Sequence, residues 1–350
     1  MNAYWTHRRL IFKAPAGTSR GTLLHKDTWY VVLRDGENTA IGEAGMFRGL
    51  SYDDVPHYEE ELDALCSRIN SGSIPSPIEY AEYPSIRFAL EVALGKIEAL
   101  KKGECYMDSP WVRGEDSIAV NGLIWMGNRE SMNTQIKTKL EAGYTCLKMK
   151  IGAIAWEEEL SIIKALRDEF SSSSLTLRVD ANGAFTPSTA PDILDTLARY
   201  EVHSIEQPIR AGQVEEMARL CETTPIPIAL DEELIGVKEP ISLLETIRPQ
   251  YIILKPTLIG GFDASGEWIK AARDTGAGYW LTSALESNVG LDAIARFTYI
   301  EGDKNFPQGL GTGMLYHNNI PYPFDIRGAR FYMNGTPYND RELYHIITEK

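Results

Sequence analysis

The sequence predicts an α/β protein in which a closed barrel of parallel strands follows a small α+β lobe. Three observations predict it. Residues 1 to about 45 alternate apolar and polar positions, with Gly and Asn between the runs, the pattern of antiparallel strands joined by turns. From about residue 117, short apolar strands each followed by an amphipathic helical stripe recur roughly every 25 to 30 residues, as in βα units. Eight such strands are legible, and no clear helix follows the last.

In chain order, THRRLIFKA and TWYVVLRDG supply the first antiparallel strands. Helical spacing then takes over in Tyr58 to Ile69 and in Ile86 to Leu100, the second carrying Ile86, Leu90, Leu94 and Ile97 with Ala93 alongside. The barrel strands are SIAVNG near 119, CLKMKI near 148, LTLRVDA near 178, HSIEQP near 205, IPIALDE near 229, YIILKP near 253, YWLTSAL near 281 and GLGTGML near 311. Between them run stripes such as Met132, Ile136 and Leu140, then Leu160, Ile163 and Leu166. Largely apolar parallel strands with helices outside close most simply into a barrel, which removes exposed edges. The tail, with PYPFDIRGARFYMNGTPY, reads as strand and turn that returns to the first lobe. The expected divisions are 1–115 for the lobe, 116–316 for the barrel and 317–350 for the tail.

Composition narrows the function. The 350 residues hold 35 Lys plus Arg against 49 Asp plus Glu, a formal charge of −14, which repels phosphate backbones and argues against nucleic acid. Hydrophobic residues at 43% and charged residues at 24% suit a folded soluble chain and exclude disorder as the overall state. Cys66, Cys105, Cys146 and Cys221 form no CxxC pair, so neither a zinc knuckle nor a disulfide framework is signalled. Neither a signal peptide nor a membrane span is legible, so a cytoplasmic protein without a membrane partner is expected.

Active sites of closed αβ barrels lie at the C-terminal ends of the strands. Lys148 and Lys150 end the second barrel strand, Asp180 the third, Glu206 the fourth, Asp231 the fifth and Lys255 the sixth. The acids are 26 and 25 residues apart and Lys255 follows 24 later, one charged group per repeat. Three converging carboxylates repel one another unless a cation joins them or one takes up a proton. Oxygen ligands without His or Cys favour Mg²⁺ over zinc. Lys148 and Lys150 alternate with Leu147, Met149 and Ile151, so both point into the barrel. A lysine held there near Mg²⁺ and another lysine should have its pKa lowered by desolvation and like charge and act as a base, with Lys255 approaching from the opposite side. Such a set suits removal of a proton next to a carboxylate.

Each residue also has a structural reading. A K-x-K on a strand is commonly a solvated face, Asp180 in VDANG can start a turn or cap a helix, Glu206 can be a loop acid, and residues 231–233 an acidic helix start. Recurrence at equivalent points of consecutive repeats is what selects the functional reading. GLGTG at 309–313 has the wrong spacing for a dinucleotide loop and reads as close backbone packing or substrate approach at the barrel mouth. The six histidines form no metal-like pair.

With LKMK, VDAN, IEQP, LDEE and ILKP in order, the chain resembles the enolase superfamily over nearly its whole length, and within it the muconate-lactonizing subgroup, which carries lysines on the second and sixth strands. GTSRGTLLHKDTW, SALESNVGLDAIARF and QGLGTGMLYHNN are similar to segments of the o-succinylbenzoate synthases. The resemblance implies a modified TIM barrel, (β/α)7β, under an α+β capping domain built from the N-terminal region and the C-terminal tail. It implies Mg²⁺, with Mn²⁺ as a substitute, on Asp180, Glu206 and Asp231. It also implies a lyase of menaquinone synthesis that dehydrates 2-succinyl-6-hydroxy-2,4-cyclohexadiene-1-carboxylate through an enediolate. Lys150 would be base and then acid, Lys255 would stabilise charge, and Lys148 and Arg178 would add positive charge. Ser283 and Glu286 would shape the succinyl pocket or merely hold the rim, with Gly311 and Thr312 at the mouth. The Gly-rich segments 17–21 and 45–49, with Ser19, Arg20 and Arg48, would fold over the mouth, although Arg48 departs from the apolar residue expected there.

Two other functions share these residues. Lysines on both faces can racemise an N-succinylamino acid, whereas a dipeptide epimerase would need an acidic pair at the eighth strand, which GLGTGML lacks. A non-catalytic metal-binding protein of the same fold is the other alternative.

Overall fold

The computed structural model describes residues 1–18, 21–337 and 339–348. The chain begins with β1 (Asn2–Thr18), β2 (Gly21–Asp35) and β3 (Asn38–Ala44), an antiparallel sheet in that order. The register of β1 on β2 runs from Asn2 opposite Arg34 to Ile11 opposite His25, then shifts before Ala16 pairs with Leu23. The far end of the hairpin thereby bends away from the sheet and over the barrel, where Gly17 bridges Met126. Any side chain at Gly17 would place its Cβ 2.5 Å from the Met126 carbonyl oxygen, so only glycine allows this approach.

The centre of β2 is apolar at successive positions because both of its faces are covered. Trp29, Val31 and Leu33 pack on the helices Tyr58–Asn70 and Pro84–Lys102, against Leu62, Leu65, Ala89 and Leu90. Tyr30 and Val32 face Val289, Ile320, Leu343 and Ile347. Each such side chain contributes about 1.5–3 kcal/mol by leaving water.

The barrel sheet is seven parallel strands: β5 (Gly122–Ile124), β6 (Cys146–Lys150), β7 (Thr176–Asp180), β8 (Ser204–Glu206), β9 (Ile228–Leu230), β10 (Tyr251–Leu254) and β11 (Gly278–Leu281), adjacent in sequence order. Two expectations are corrected. Only the end of SIAVNG belongs to the barrel: Val120 bridges into the ring and Gly122 begins β5, whereas Ser117–Ala119 form β4, which joins the tail hairpin β12 (Phe324–Arg327) and β13 (Arg330–Met333) in a separate antiparallel sheet. The eighth strand, GLGTGML, is not regular. Its first residue Gly309 and the preceding Gln308 make single parallel bridges to Thr282 and Val120, which close the ring, and residues 311–314 turn. Glycines lack the side chains that hold a strand between neighbours, so this stretch pairs briefly and bends.

Alternation sorts each barrel strand into two sets. Leu147, Met149, Leu177, Val179, Ile205, Leu230, Ile252 and Leu254 face the helix layer in the main core. Ala229, Ile253 and Trp280, with Tyr251 and Phe306, form a separate apolar plug, and the charged positions alternate with the outward set. The tail divides its contacts: the β12–β13 hairpin packs beside Trp111, whose Nε1 donates to Phe331 O at 3.0 Å, whereas the helix Asp340–Thr348 returns to the first lobe through Leu343 and Ile347. No helix among the described residues is long and apolar enough to cross a membrane. The four cysteines are free thiols.

Candidate active site

Parallel register places the charged strand ends at one level. Lys150 lies opposite Asp180, and Asp180 opposite Glu206. Lys148 Nζ lies 2.9 Å from Asp180 Oδ2 and 2.5 Å from Glu206 Oε2. Lys150 Nζ lies 2.9 Å from the same Asp180 oxygen, and Lys255 is ion-paired with Asp231. The six residues named from the sequence are thus gathered into one buried cluster, with all three acids nearly inaccessible to solvent.

Burial would raise Asp180, but the ammonium groups of Lys148 and Lys150 outweigh it and hold the carboxyl far below its ordinary range. Glu206 moves the other way: burial and then the charge of Asp180 push it well up, against the pull of Lys148. Lys148 moves upward. Burial lowers it, yet Asp180, Glu206 and Asp231 together raise it above its ordinary value, and Lys255 is raised by Asp231, Glu206 and Glu232 in the same way. The acids beside Lys148 and Lys255 thus favour the charged form of these two lysines.

The acids as they stand do not form a metal cage. No three His, Cys, Asp or Glu side chains among the described residues are close enough to hold an ion together, because the lysines lie between them. The donor set nonetheless fits a hard divalent cation. It consists of carboxylate oxygens alone, and the buried Glu206 Oε1 accepts no hydrogen bond, leaving a lone pair directed at no donor.

Residues the sequence reading passed over hold the cluster in place. Asn182, in the left-handed region at φ 44°, accepts from Lys150 Nζ at 2.6 Å and donates to Glu232 Oε1 at 2.9 Å. Gln207 Oε1 accepts from the amides of Asp231 and Glu233 at 3.1 and 3.3 Å, while its Nε2 donates to Glu233 Oε2 at 2.9 Å. This ties the ends of β8 and β9 together and fixes the spacing of Glu206 and Asp231. The motifs VDAN, EQP and DEE contain all of these residues, but only the positive φ values of Asn182 and Gln207 turn them toward their partners.

A cavity opens above the cluster. Lys148, Lys150 and Asn182 line one side, Lys255 and Leu258 another, and Ser283, Gly311 and Thr312 the rim. Phe47 and Leu50 from the first lobe cover it, with Leu123 and Trp125 completing an apolar wall. Two buried polar atoms of lining residues, Asn121 Oδ1 and Thr312 Oγ1, have no hydrogen-bond partner.

The remaining expected residues take other places. Arg178 does not line the cavity. It points inward below Asp180, where its guanidinium lies 4.4 Å from the ring centres of both Trp280 and Phe306 and donates to Pro307 O at 2.8 Å. Glu286 is 0% exposed and sits behind the wall, accepting from Ser283 and Thr257. Arg48 turns away to pair with Asp54 at 2.6 Å, so Phe47 and Leu50 provide the apolar cover. Ser19 and Arg20 lie outside the described residues.

Residues 131–337 match the family described as enolase C-terminal domain-like. The chain is 45% identical to the o-succinylbenzoate synthase of Desulfotalea psychrophila, over 91% of this chain and 95% of that protein. It is 26% identical to the o-succinylbenzoate synthase of an Escherichia coli O7:K1 strain, over 77% and 78% of the two chains. The crystal structure of MenC from Desulfotalea psychrophila superposes with a TM-score of 0.83 at 40% identity, covering 95% of this chain and 99% of that one. A dipeptide epimerase from Enterococcus faecalis, complexed with Mg and a dipeptide, shares the fold with a TM-score of 0.80 at 16% identity, covering 97% and 98%.

Proposed function

The chain belongs to the enolase superfamily and, within it, to the o-succinylbenzoate synthase family, and we propose that it dehydrates 2-succinyl-6-hydroxy-2,4-cyclohexadiene-1-carboxylate to 2-succinylbenzoate in menaquinone synthesis. The observation that carries the reading is the placement of Lys150 and Lys255 around one cavity, with Asp180, Glu206 and Asp231 buried beneath it. Asp180, Glu206 and Asp231 would hold Mg²⁺. When bound, the ion supplies positive charge to the substrate carboxylate and stabilises the negative charge that develops there.

The chain's own residues do the rest. Lys150, as the neutral amine, removes the proton next to the ring carboxylate, and the ammonium so formed returns that proton to the departing hydroxyl on the same face, which makes the elimination syn and releases water. Formation of the aromatic ring drives the reaction forward. Lys255, on the other side, holds its positive charge against the enediolate, and Lys148 keeps the acid cluster from repelling itself. Phe47, Leu50, Leu123 and Trp125 exclude water and match the apolar ring. Thr312 Oγ1 and Asn121 Oδ1 are free to meet polar atoms of the substrate's succinyl arm.

The test is an ultraviolet assay of the purified protein with the cyclohexadiene acid, with and without Mg²⁺. Mg²⁺-dependent appearance of the aromatic chromophore is the expected result. Opposed lysines also suit proton exchange on N-succinylamino acids. No dehydration, with deuterium wash-in to those amino acids instead, would move the assignment to a racemase.

A further inference from the structure

Two segments carry the wall beside Lys255. One is the short helix Pro256–Ile259, which directly follows Lys255, and the other is the loop after β11 with Ser283. A single carboxylate holds both. Glu286 accepts from Thr257 Oγ1 on Oε1 and from Ser283 Oγ on Oε2, each at 2.6 Å. Between these contacts, Leu285 is a non-glycine residue at φ 65°, and its carbonyl accepts from Tyr316 Oη at 2.8 Å. The loop is therefore held in a conformation it would not adopt by itself.

The first lobe meets this carboxylate from above. Lys26 of β2 is buried, and its Nζ donates to Gly45 O at 3.1 Å. Gly45 sits so close that a Cβ there would lie 3.3 Å from Glu286 Cγ, 3.4 Å from Thr257 Cγ2 and 3.5 Å from Lys26 Nζ. Glu43, on β3, accepts from Ser287 N at 2.7 Å, Ser287 Oγ at 2.5 Å and Gly290 N at 2.8 Å, fixing the start of the helix Asn288–Glu301. Burial pushes Glu286 up, against the charge of Lys26, and pushes Lys26 down, against the charges of Glu43 and then Glu286. Just past Gly45 come Phe47 and Leu50, which cover the cavity.

We infer that Glu286 is a positioning residue which, through Lys26 and Gly45, couples the seating of the covering loop at 45–50 to the placement of the Lys255 turn and of Ser283. The inference rests on the proposed function for its kinetic consequences, but not for its structural ones. A carboxylate bonded to both walls and packed directly against Gly45 of the lobe makes closure of the cover and formation of the wall one event. A cover that seats poorly leaves the bound substrate hydrated and the wall misplaced.

The experiment uses the full-length Mg²⁺-loaded protein with Glu286→Gln, Lys26→Met, the double variant, and the milder Thr257→Val. Steady-state kinetics are read with the cyclohexadiene acid, and amide hydrogen exchange is followed by mass spectrometry. Either charged-residue variant should raise KM about tenfold and lower kcat about threefold to tenfold, and the double variant should be no worse than the poorer single one. Exchange should quicken in residues 44–51 and in 256–260 alike, wherever the substitution lies, and stay unchanged in the helix Tyr58–Asn70. Thr257→Val should do the same to 44–51 in smaller degree and keeps the test open if a charge variant fails to fold. Faster exchange confined to the substituted segment, or single effects that multiply in the double variant, would overturn the coupling. If the wild-type protein does not dehydrate the acid, the proposed function fails and the exchange pattern alone decides this inference.

Discussion

At the scale of single residues, the site depends on which charge faces which. Lys150 has two close partners, Asp180 Oδ2 and Asn182 Oδ1. Asn182 is itself held by Glu232, so the lysine is aimed rather than merely present. Lys150→Ala should lower kcat by about 10³-fold or more, the scale of a lost acid-base group, while calorimetric Mg²⁺ titration shows affinity nearly intact. Substantial residual turnover would remove Lys150 from the role of base. Asn182→Ala leaves the amine in place but loses its guide, and kcat should fall about 10- to 100-fold in initial-rate measurements. An unchanged kcat would mean that Asp180 alone orients the lysine. The charged residues were legible in the sequence because each ends a βα repeat. Asn182 and Gln207 were not, since their roles come from backbone conformations that no spacing encodes.

At the scale of elements, the first lobe carries a buried acid that makes its stability depend on pH. Asp53 accepts from Ser85 N at 2.9 Å and Ser85 Oγ at 2.6 Å, at the start of the helix Pro84–Lys102. Burial nevertheless pushes its carboxyl from the ordinary 3.8 up to about 6. The folded protein thus holds this proton more tightly than the unfolded chain. The stability it lends is full below about pH 4 and is lost as pH rises through about 6, roughly 3 kcal/mol in all. Denaturant unfolding of wild type and Asp53→Asn at several pH values checks this: the variant should gain on the wild type as pH rises across that window. A constant difference would mean that Asp53 titrates normally. Helix positions were readable from the stripes, as Tyr58–Asn70 and Pro84–Lys102 confirm. The start of the barrel's first strand was misplaced because apolar residues alone do not say whether a partner is parallel or antiparallel. Ser117–Ala119 is apolar enough for the barrel but is taken by the tail.

At the scale of the whole molecule, long-range ties join the end of the chain to its beginning. Asp340, at the start of the last helix, accepts from Ile41 N at 2.6 Å and pairs with the buried Lys96 at 3.0 Å. Removing one member leaves the other charge buried and alone, so Asp340→Ala should cost about 3–5 kcal/mol in denaturant unfolding. Lys96→Met with Asp340→Leu should recover most of the loss, since paired burial, not net attraction, sets that cost. A single variant as stable as wild type would show that the last helix does not depend on the pair. Ile41 and Glu43 lie on the same strand, so the tail braces the strand that in turn holds the start of the helix Asn288–Glu301.

The sequence by itself determined the class of fold, the repeat that lines up charged strand ends, and the chemistry those ends can perform, because period-two alternation and a regular βα spacing are local properties of the chain. Only the tertiary structure decided what lies beside what. It placed Arg178 between Trp280 and Phe306 instead of in the cavity, and Glu286 behind Ser283 instead of facing the cavity. It also chose Phe47 and Leu50 rather than Arg48 as the cover. These outcomes depend on how far each strand rises around the ring and how the lobe sits upon it. A side chain's depth in such an assembly is set by neighbours distant in sequence, which no window along the chain contains.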